Sequence, residues 1–185
     1  METLVEDISY DSLGEWRLPN LSDFSYKKTL FPYQAEALKN LAKILMIYFT
    51  NPNGKRFLYS SCVNLGMNQD SFNILKYLKP ADKRNGLIDK RYSLFLNYFN
   101  SSGEYIDGSH LFNRMAFWMA TGSGKSIVLI KAIEYLYYLQ KNDLIPERDI
   151  MLLLPRADLI SQFEREVKEY NLYRTLPIEL VNLKD

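Results

Sequence analysis

Hydrophobic residues recur every three to four positions in three stretches of the chain, and this spacing predicts three amphipathic helices. The first helix is predicted over residues 33–49, because Pro32 suits a first turn and Asn51-Pro52-Asn53-Gly54 ends the pattern. The second is predicted over residues 125–140 and the third over residues 157–170. Their inward-facing stripes are Ala35, Leu38, Leu41, Ala42 and Leu45 in the first, Val128, Leu129, Ala132, Ile133, Leu136 and Leu139 in the second, and Leu159, Ile160, Phe163 and Val167 in the third.

Three other stretches have the pattern of β-strands. Met115–Met119 and Ile150–Leu154 are continuous apolar runs, as expected of strands that are buried on both faces, and Ile178–Leu183 alternates. Strands and helices therefore alternate along the second half of the chain, which predicts parallel βαβ units with right-handed crossovers. The predicted fold class is α/β, with a parallel sheet and flanking helices.

The first half of the chain has weaker patterns. Residues 1–29 are rich in turn-forming residues, and we predict an irregular lead-in to the first helix. Residues 71–79 and 87–99 have helical spacing, with the basic pairs Lys83-Arg84 and Lys90-Arg91 close by. Such pairs would suit contacts to a DNA backbone, but a solvated surface also explains them, and we favour the solvated surface.

Composition excludes several classes of protein. The 185 residues suit one domain or little more, and 23 Lys and Arg against 22 Asp and Glu exclude a basic tail or an acidic mimic of nucleic acid. A single cysteine, Cys62, excludes an internal disulfide and a cysteine-based zinc site, and a catalytic pair with the single histidine, His110, has no local support. No apolar run approaches the roughly 20 residues of a membrane span, and the acidic N-terminus lacks an export signal. We therefore expect a cytoplasmic protein without membrane contact.

A glycine-rich turn lies between the first predicted strand and the second predicted helix. It reads Thr121-Gly122-Ser123-Gly124-Lys125-Ser126. Glycines let backbone N–H groups approach phosphate oxygens, and the N-terminus of the following helix adds partial positive charge. Lys125 would reach the β- and γ-phosphates of a nucleotide, and the Ser126 hydroxyl would bind Mg2+. The turn departs from the Walker A pattern G-x-x-x-x-G-K-S/T, because Met119 stands in place of the first glycine. The alternative is therefore a Gly-rich turn with a chance Lys-Ser.

Met119–Ser126 resembles motif I of superfamily 2 helicases and translocases, in the form M-A-T-G-x-G-K-S/T that is typical of type I and type III restriction motors. Leu30–Ala37 resembles the Q motif of these motors, L-R-P-Y-Q-x-E-A. The resemblance implies that Gln34 reads the adenine edge with its amide. Phe31 stands where the family often has Arg, and an aromatic ring there would suit stacking on the base. The alternative for Gln34 is an exposed residue of the first turn.

Leu154–Gln162 resembles motif Ia of the restriction motors, x-D-R-x-D-L-x-x-Q, with Pro155 in place of an Asp. The resemblance implies that this loop faces nucleic acid. Arg156 and Gln162 are therefore candidate nucleic-acid contacts, because an Arg at a strand end suits a backbone phosphate. The alternative is helix capping by Asp158 beside a solvated Arg156.

Three motifs in this order make the chain resemble the restriction (R) subunit of type III restriction enzymes. The resemblance implies a Q-motif helix at 30–50, a largely helical insertion at 51–113 and the start of a RecA-like P-loop ATP-binding lobe at 114–185. It implies an ATP-hydrolysing translocase or helicase that acts on duplex DNA for an endonuclease, with ATP and Mg2+ as its cofactors. Lys125 and Ser126 would be catalytic, the backbone of Gly122–Lys125 would cradle phosphate, and a methyltransferase (modification) subunit would be a partner.

No D-E-x-x run follows residue 170, although such motors need this acidic motif to hold Mg2+. We therefore expect an incomplete first motor lobe that binds nucleotide weakly and does not hydrolyse it efficiently. Gln34 lies too near the start to leave room for a preceding nuclease domain. This order favours the type III arrangement over the type I arrangement.

Other functions stay open at this point. Another superfamily 2 motor, such as an RNA helicase or a repair helicase, would share the motifs. A nucleotide-dependent interaction module without turnover is a further reading, with residues 51–113 docking a methyltransferase. A small-molecule kinase with a phosphate loop is disfavoured, because it would not need Gln34 or the Arg156 motif.

Overall fold

The computed structural model describes residues 5–64, 115–117, 119–154, 156–174 and 177–182. Within these ranges the chain forms a 3-10 helix, Tyr10–Trp16, and the α-helices α1 (Pro32–Thr50), α2 (Gly54–Asn64), α3 (Lys125–Lys141) and α4 (Ala157–Asn171). The three predicted helices are therefore confirmed to within one residue at each end. The helices predicted at 71–79 and 87–99, the two basic pairs and His110 lie outside the described residues.

The chain forms two compact units. One contains the described residues 50–64 and 115–116, and Leu58 of α2 is fully buried in it. The described part of the predicted insertion, residues 51–64, belongs to this unit. The other unit contains residues 5–49 and the described residues from 117 onward, and it includes α3 and α4.

The hydrophobic core of the larger unit is built by the lead-in, α1, α3 and α4. The predicted stripe of α1 is buried throughout, as amphipathic spacing requires. In α4, Phe163 and Val167 are buried, but Ile160 is 41% exposed, so its predicted inward position is wrong. α3 is buried on more sides than predicted, because Ile130 and Tyr135 are also inaccessible.

The lead-in has regular structure and contributes to the core. The 3-10 helix begins after Ser9, whose hydroxyl accepts a hydrogen bond from the N–H of Asp11 at 3.3 Å. Gly14 interrupts the helical geometry with a φ of 57°. An antiparallel bridge joins Asp23 and Thr29. The buried side chains of the lead-in include Leu13, Trp16, Leu18 and Phe24.

The side chain of Lys131 is fully buried and connects α3 to the lead-in. Its ammonium pairs with Glu134 and donates to the backbone carbonyls of Asn20 at 3.3 Å and Asp23 at 3.0 Å. Burial lowers the pKa of Lys131, and the Glu134 carboxylate opposes this shift. One turn further along α3, the hydroxyl of Tyr135 donates to the Trp16 carbonyl at 2.7 Å.

α4 is joined to the lead-in through Glu169. Ser25 donates a hydrogen bond to Glu169 Oε1 at 2.8 Å, and the Lys28 ammonium pairs with Oε2. The hydrogen bond from Lys28 is the main reason that the pKa of Glu169 lies below its usual value. Beside this contact, the rings of Phe24 and Tyr170 pack with centroids 5.6 Å apart. The lead-in is therefore an integral layer of this unit.

The three segments that we predict as strands form no β-ladder among the described residues. Ile150, Leu152 and Leu154 pack against the core, whereas Met151 is 68% exposed and Leu153 is 78% exposed. The prediction that this run is buried on both faces is therefore wrong here, because one face has no covering layer. A parallel ladder requires a neighbouring strand, so the parallel sheet stays a prediction.

Candidate nucleotide-binding site

Residues 120–126 comprise the turn after the first predicted strand and the first two residues of α3. This segment depends on two glycines, and we call it the phosphate loop. Gly122 and Gly124 have φ values of 78° and 73°, which side chains with a Cβ atom rarely adopt. A Cβ at Gly122 would meet nothing within 4 Å, so this side of the loop is open. A Cβ at Gly124 would lie 2.6 Å from Gln34 Nε2, so this position also needs glycine for space.

The N-terminus of α3 presents donors at this loop. Gly124 precedes the helix without a side-chain cap, and its carbonyl accepts from the N–H groups of Ile127 at 3.1 Å and Val128 at 3.4 Å. Helical geometry leaves the N–H groups of Lys125 and Ser126 without an acceptor inside the helix. These two donors and the helix dipole make the position suitable for an anion.

Two side chains of the phosphate loop donate hydrogen bonds to the same backbone carbonyl. The Lys125 ammonium donates to the Ala120 carbonyl at 2.6 Å, and the Ser123 hydroxyl donates to the same oxygen at 2.7 Å. Thr121 and Lys125 are exposed, and Ser126 is half-buried. The Lys125 charge is therefore accessible from solvent, as a phosphate-binding lysine has to be.

The first turn of α1 contacts the phosphate loop directly. Gln34 Nε2 donates to the Ser123 carbonyl at 2.8 Å, and the Tyr33 hydroxyl donates to the same oxygen at 2.9 Å. The structure thus brings the segment that resembles the Q motif onto the segment that resembles motif I, across 89 residues of sequence.

The oxygen atom of the Gln34 amide helps to cap the N-terminus of α1. Its Oε1 accepts from the N–H of Phe31 at 2.9 Å, while the Phe31 carbonyl accepts from the N–H groups of Gln34 and Ala35, both at 3.0 Å. Phe31 therefore occupies the N-cap position, and Gln34 supplies the N3 half of a capping box, since Phe31 has no side-chain acceptor to return the bond; Pro32 stands at the first helical position. Gln34 is 1% exposed, so the alternative of an exposed first-turn residue is wrong.

Two aromatic rings flank this contact. The rings of Phe31 and Tyr33 stack with centroids 5.8 Å apart and planes 9° apart, and they are 61% and 50% exposed. Sequence reasoning named Phe31 and missed Tyr33. The signal that would have found Tyr33 is its place beside Gln34 in the first turn of the helix.

The candidate nucleic-acid residues lie at the N-terminal end of α4, with Arg156 at the N-cap position and Gln162 within the helix. The Arg156 guanidinium forms a two-pronged pair with Asp158, with Nε 2.9 Å from Oδ1, and this hydrogen bonding lowers the pKa of Asp158. Gln162 Nε2 donates to Glu166 Oε1 at 3.2 Å. Arg156 and Gln162 are exposed, and neither has a hydrogen bond to the phosphate loop in the described part of the chain.

A family model described as type III restriction enzyme, res subunit, matches residues 27–178, which is more than half of the chain. The matched range includes the first turn of α1, the phosphate loop and α4. The chain belongs to the type III restriction enzyme res subunit family. No curated protein and no solved structure matches the chain. The resemblance drawn from the sequence motifs is thereby confirmed at the level of the family.

Membership in the res subunit family implies a P-loop helicase fold and an ATP-dependent, helicase-like function at family level. Its members generally depend on ATP and Mg2+ and interact with DNA. The loop fits this group, because its Gly122 side is open, Lys125 is accessible and two helix N–H groups are unpaired inside the helix. Across the described ranges, no helix has the length and apolar character needed to cross a membrane.

Proposed function

We propose that this res subunit chain binds Mg2+ and ATP at the phosphate loop, and that the full-length enzyme hydrolyses ATP to move on duplex DNA for restriction. The observation that carries the proposal is the contact of Gln34 with the Ser123 carbonyl. This contact brings the two segments that resemble nucleotide-binding motifs into a single site. A glycine-rich turn that binds no ligand would not require such a contact with α1.

The phosphate loop supplies charge and donors. Lys125 already holds its ammonium against a loop oxygen, the Ala120 carbonyl, so binding a phosphate exchanges one oxygen acceptor for another. The N–H groups of Lys125 and Ser126 add two further donors from the helix N-terminus. The Ser126 hydroxyl would hold Mg2+, which together with ATP supplies the phosphoryl transfer to water.

The adenine base would lie at the first turn of α1. Gln34 uses one lone pair for the Phe31 N–H and one N–H for the Ser123 carbonyl, and its side chain is 1% exposed. Its second acceptor and second donor would become accessible to a base edge when the first turn of α1 moves. The exposed ring of Phe31 offers a stacking surface beside that amide. We therefore assign adenine selectivity to Gln34 and stacking to Phe31.

The RecA-like parallel sheet belongs to the same proposal, and its strands would be the three segments that the sequence predicts as strands, 115–119, 150–154 and 178–183. Arg156 and Gln162 would contact the nucleic-acid backbone. Arg156 would exchange the Asp158 carboxylate for a backbone phosphate, which has the same two-oxygen geometry. A methyltransferase subunit would be the protein partner.

Calorimetric titration of ATP and of GTP, each with Mg2+, tests the site. We expect weak binding that favours ATP over GTP, a loss of affinity of more than about tenfold in Lys125→Ala, and a loss of the preference for ATP in Gln34→Ala. Lys141→Ala is the matched control, because this exposed lysine ends the same helix and carries the same charge.

Equal binding by Lys125→Ala and the unsubstituted chain would contradict the proposed site. A phosphate-release assay tests the second part of the proposal. We expect no efficient hydrolysis by this chain alone, and a robust ATPase that disappears in Lys125→Ala would show that this expectation is wrong.

A further inference from the structure

We propose that Tyr33 is a positioning residue of the phosphate loop, and that its hydroxyl acts on the triphosphate through the Ser123 carbonyl. This inference rests on the proposed nucleotide binding. It assigns to Tyr33 a role that differs from base recognition, which we place on Gln34 and Phe31.

The Ser123 carbonyl is the point at which α1 holds the phosphate loop. It accepts from Tyr33 at 2.9 Å and from Gln34 at 2.8 Å, so both of its lone pairs are used. Ser123 lies between Gly122 and Gly124, which are both in the left-handed region. A glycine on each side of Ser123 gives the backbone unusual freedom, so the peptide between Ser123 and Gly124 would rotate readily without an external partner.

Fixing this carbonyl also fixes a donor. The peptide bond is planar, and in the trans form its N–H points opposite to its C=O. No cis peptide occurs among the described residues. Because Tyr33 and Gln34 hold the Ser123 carbonyl toward α1, the N–H of Gly124 points away from α1. That N–H joins those of Lys125 and Ser126 as a donor for the phosphate group.

The Tyr33 hydroxyl affects the phosphate loop without affecting α1 or the position of Gln34. Its ring is held by parallel stacking on Phe31, so the hydroxyl is directed with little loss of freedom. Gln34 is fixed independently by the capping bond to the Phe31 N–H. Removal of the Tyr33 hydroxyl therefore leaves α1 and the Gln34 contact in place, and it removes one of the two hydrogen bonds that orient the peptide.

The test compares two ligands, inorganic tripolyphosphate and ATP, each with Mg2+, by calorimetric titration. In Tyr33→Phe we expect the affinity for both to fall by the same factor, about two- to tenfold, because one exposed hydrogen bond is lost before any base is involved. Tyr138→Phe is the matched control, since its hydroxyl donates to the Glu15 carbonyl at 2.9 Å, and both affinities should stay unchanged. Phe31→Leu should weaken ATP more than tripolyphosphate, because it removes the stacking surface for the base as well as the ring that holds Tyr33.

Loss of ATP affinity without loss of tripolyphosphate affinity in Tyr33→Phe would overturn the inference, because the hydroxyl would then act on the base. No loss for either ligand would overturn it as well. Hydrogen exchange of the Ser123 amide, which donates to the Ala120 carbonyl at 3.3 Å, decides the question independently when it is measured without ligand. We expect faster exchange in Tyr33→Phe and unchanged exchange in Tyr138→Phe.

The exchange measurement separates the two proposals. If the unsubstituted chain binds neither ligand, the proposed function fails, while faster loop exchange in Tyr33→Phe still supports the positioning role. Unchanged loop exchange in Tyr33→Phe overturns the positioning role, even where ATP binding is confirmed.

Discussion

The middle and the N-terminus of α3 are held by the same kind of interaction in different surroundings. In its middle, Lys131 and Tyr135 donate to carbonyls of the lead-in from positions that are 0% and 1% exposed. At its N-terminus, Lys125 donates to a loop carbonyl from an exposed position, and the half-exposed Tyr33 does the same from α1.

This difference in exposure separates stability from binding. A buried donor that loses its acceptor cannot turn to water, so it costs the full desolvation of the group. An exposed donor exchanges its acceptor for water or for a ligand at little cost. The lead-in contacts should therefore determine the free energy of unfolding, and the loop contacts should determine ligand affinity.

The largest effect should follow from Lys131→Ala. It leaves Glu134 and the Asn20 and Asp23 carbonyls without their buried donor, so we expect a loss of about 3–5 kcal/mol in the free energy of unfolding. Urea denaturation measures this loss. The control Lys141→Ala should stay within about 0.5 kcal/mol, and an equally small change for Lys131→Ala would break the comparison.

Tyr135→Phe should have the next largest effect. It deprives the buried Trp16 carbonyl of its donor and should cost about 1–3 kcal/mol in the free energy of unfolding, while nucleotide affinity stays unchanged. Tyr33→Phe removes the same hydroxyl group from a half-exposed position and should lower nucleotide affinity with little loss of stability. The two variants together therefore test whether exposure separates stability from binding. Loss of affinity in Tyr135→Phe at unchanged stability would contradict this separation.

Gly124→Ala should destabilise the phosphate loop by about 1–2 kcal/mol for its positive φ, with a further cost from the contact with Gln34 Nε2. Gly122→Ala has a similar φ but an open surrounding, so it should cost less. Thermal unfolding of both variants measures the difference. Equal changes in the two variants would mean that the Gln34 contact does not constrain the loop.

The smallest effect concerns pH. Because the Lys28 hydrogen bond lowers the folded pKa of Glu169, its contribution is fully present above the unfolded pKa of 4.5 and is lost as pH falls through the folded pKa. At neutral pH, Glu169→Gln should cost less than about 1 kcal/mol. In urea denaturation at successive pH values below 4.5, the two proteins should converge in stability. A difference in stability between the two proteins that does not depend on pH would exclude the Lys28–Glu169 pair as its cause.

The helices of the larger unit are predictable because their signals are local. Pro32 and the Asn51–Gly54 turn bound α1, and apolar spacing marks its buried stripe. The phosphate loop is equally local, since its glycines, lysine and serine are consecutive. Such signals need no knowledge of the rest of the chain.

Burial of polar residues is not predictable in the same way. Gln34 is buried because its partner, Ser123, lies 89 residues away, and Lys131 is buried because the lead-in supplies carbonyls from 108 and 111 residues away. Hydrophobic spacing assigns both residues to the surface. The predicted strands differ again, because an apolar run such as Ile150–Leu154 becomes a strand only through pairing with another segment.

The shared amide of Gln34 has a consequence for the order of folding. Its bond to Phe31 spans three residues and can form together with α1, on the microsecond scale of helix formation. Its bond to Ser123 spans 89 residues and has to wait until that much chain has been enclosed, which is slow for entropic reasons. We therefore expect α1 to form before the glycine-rich turn packs against it. The phosphate loop would then be the last part of the site to gain its shape.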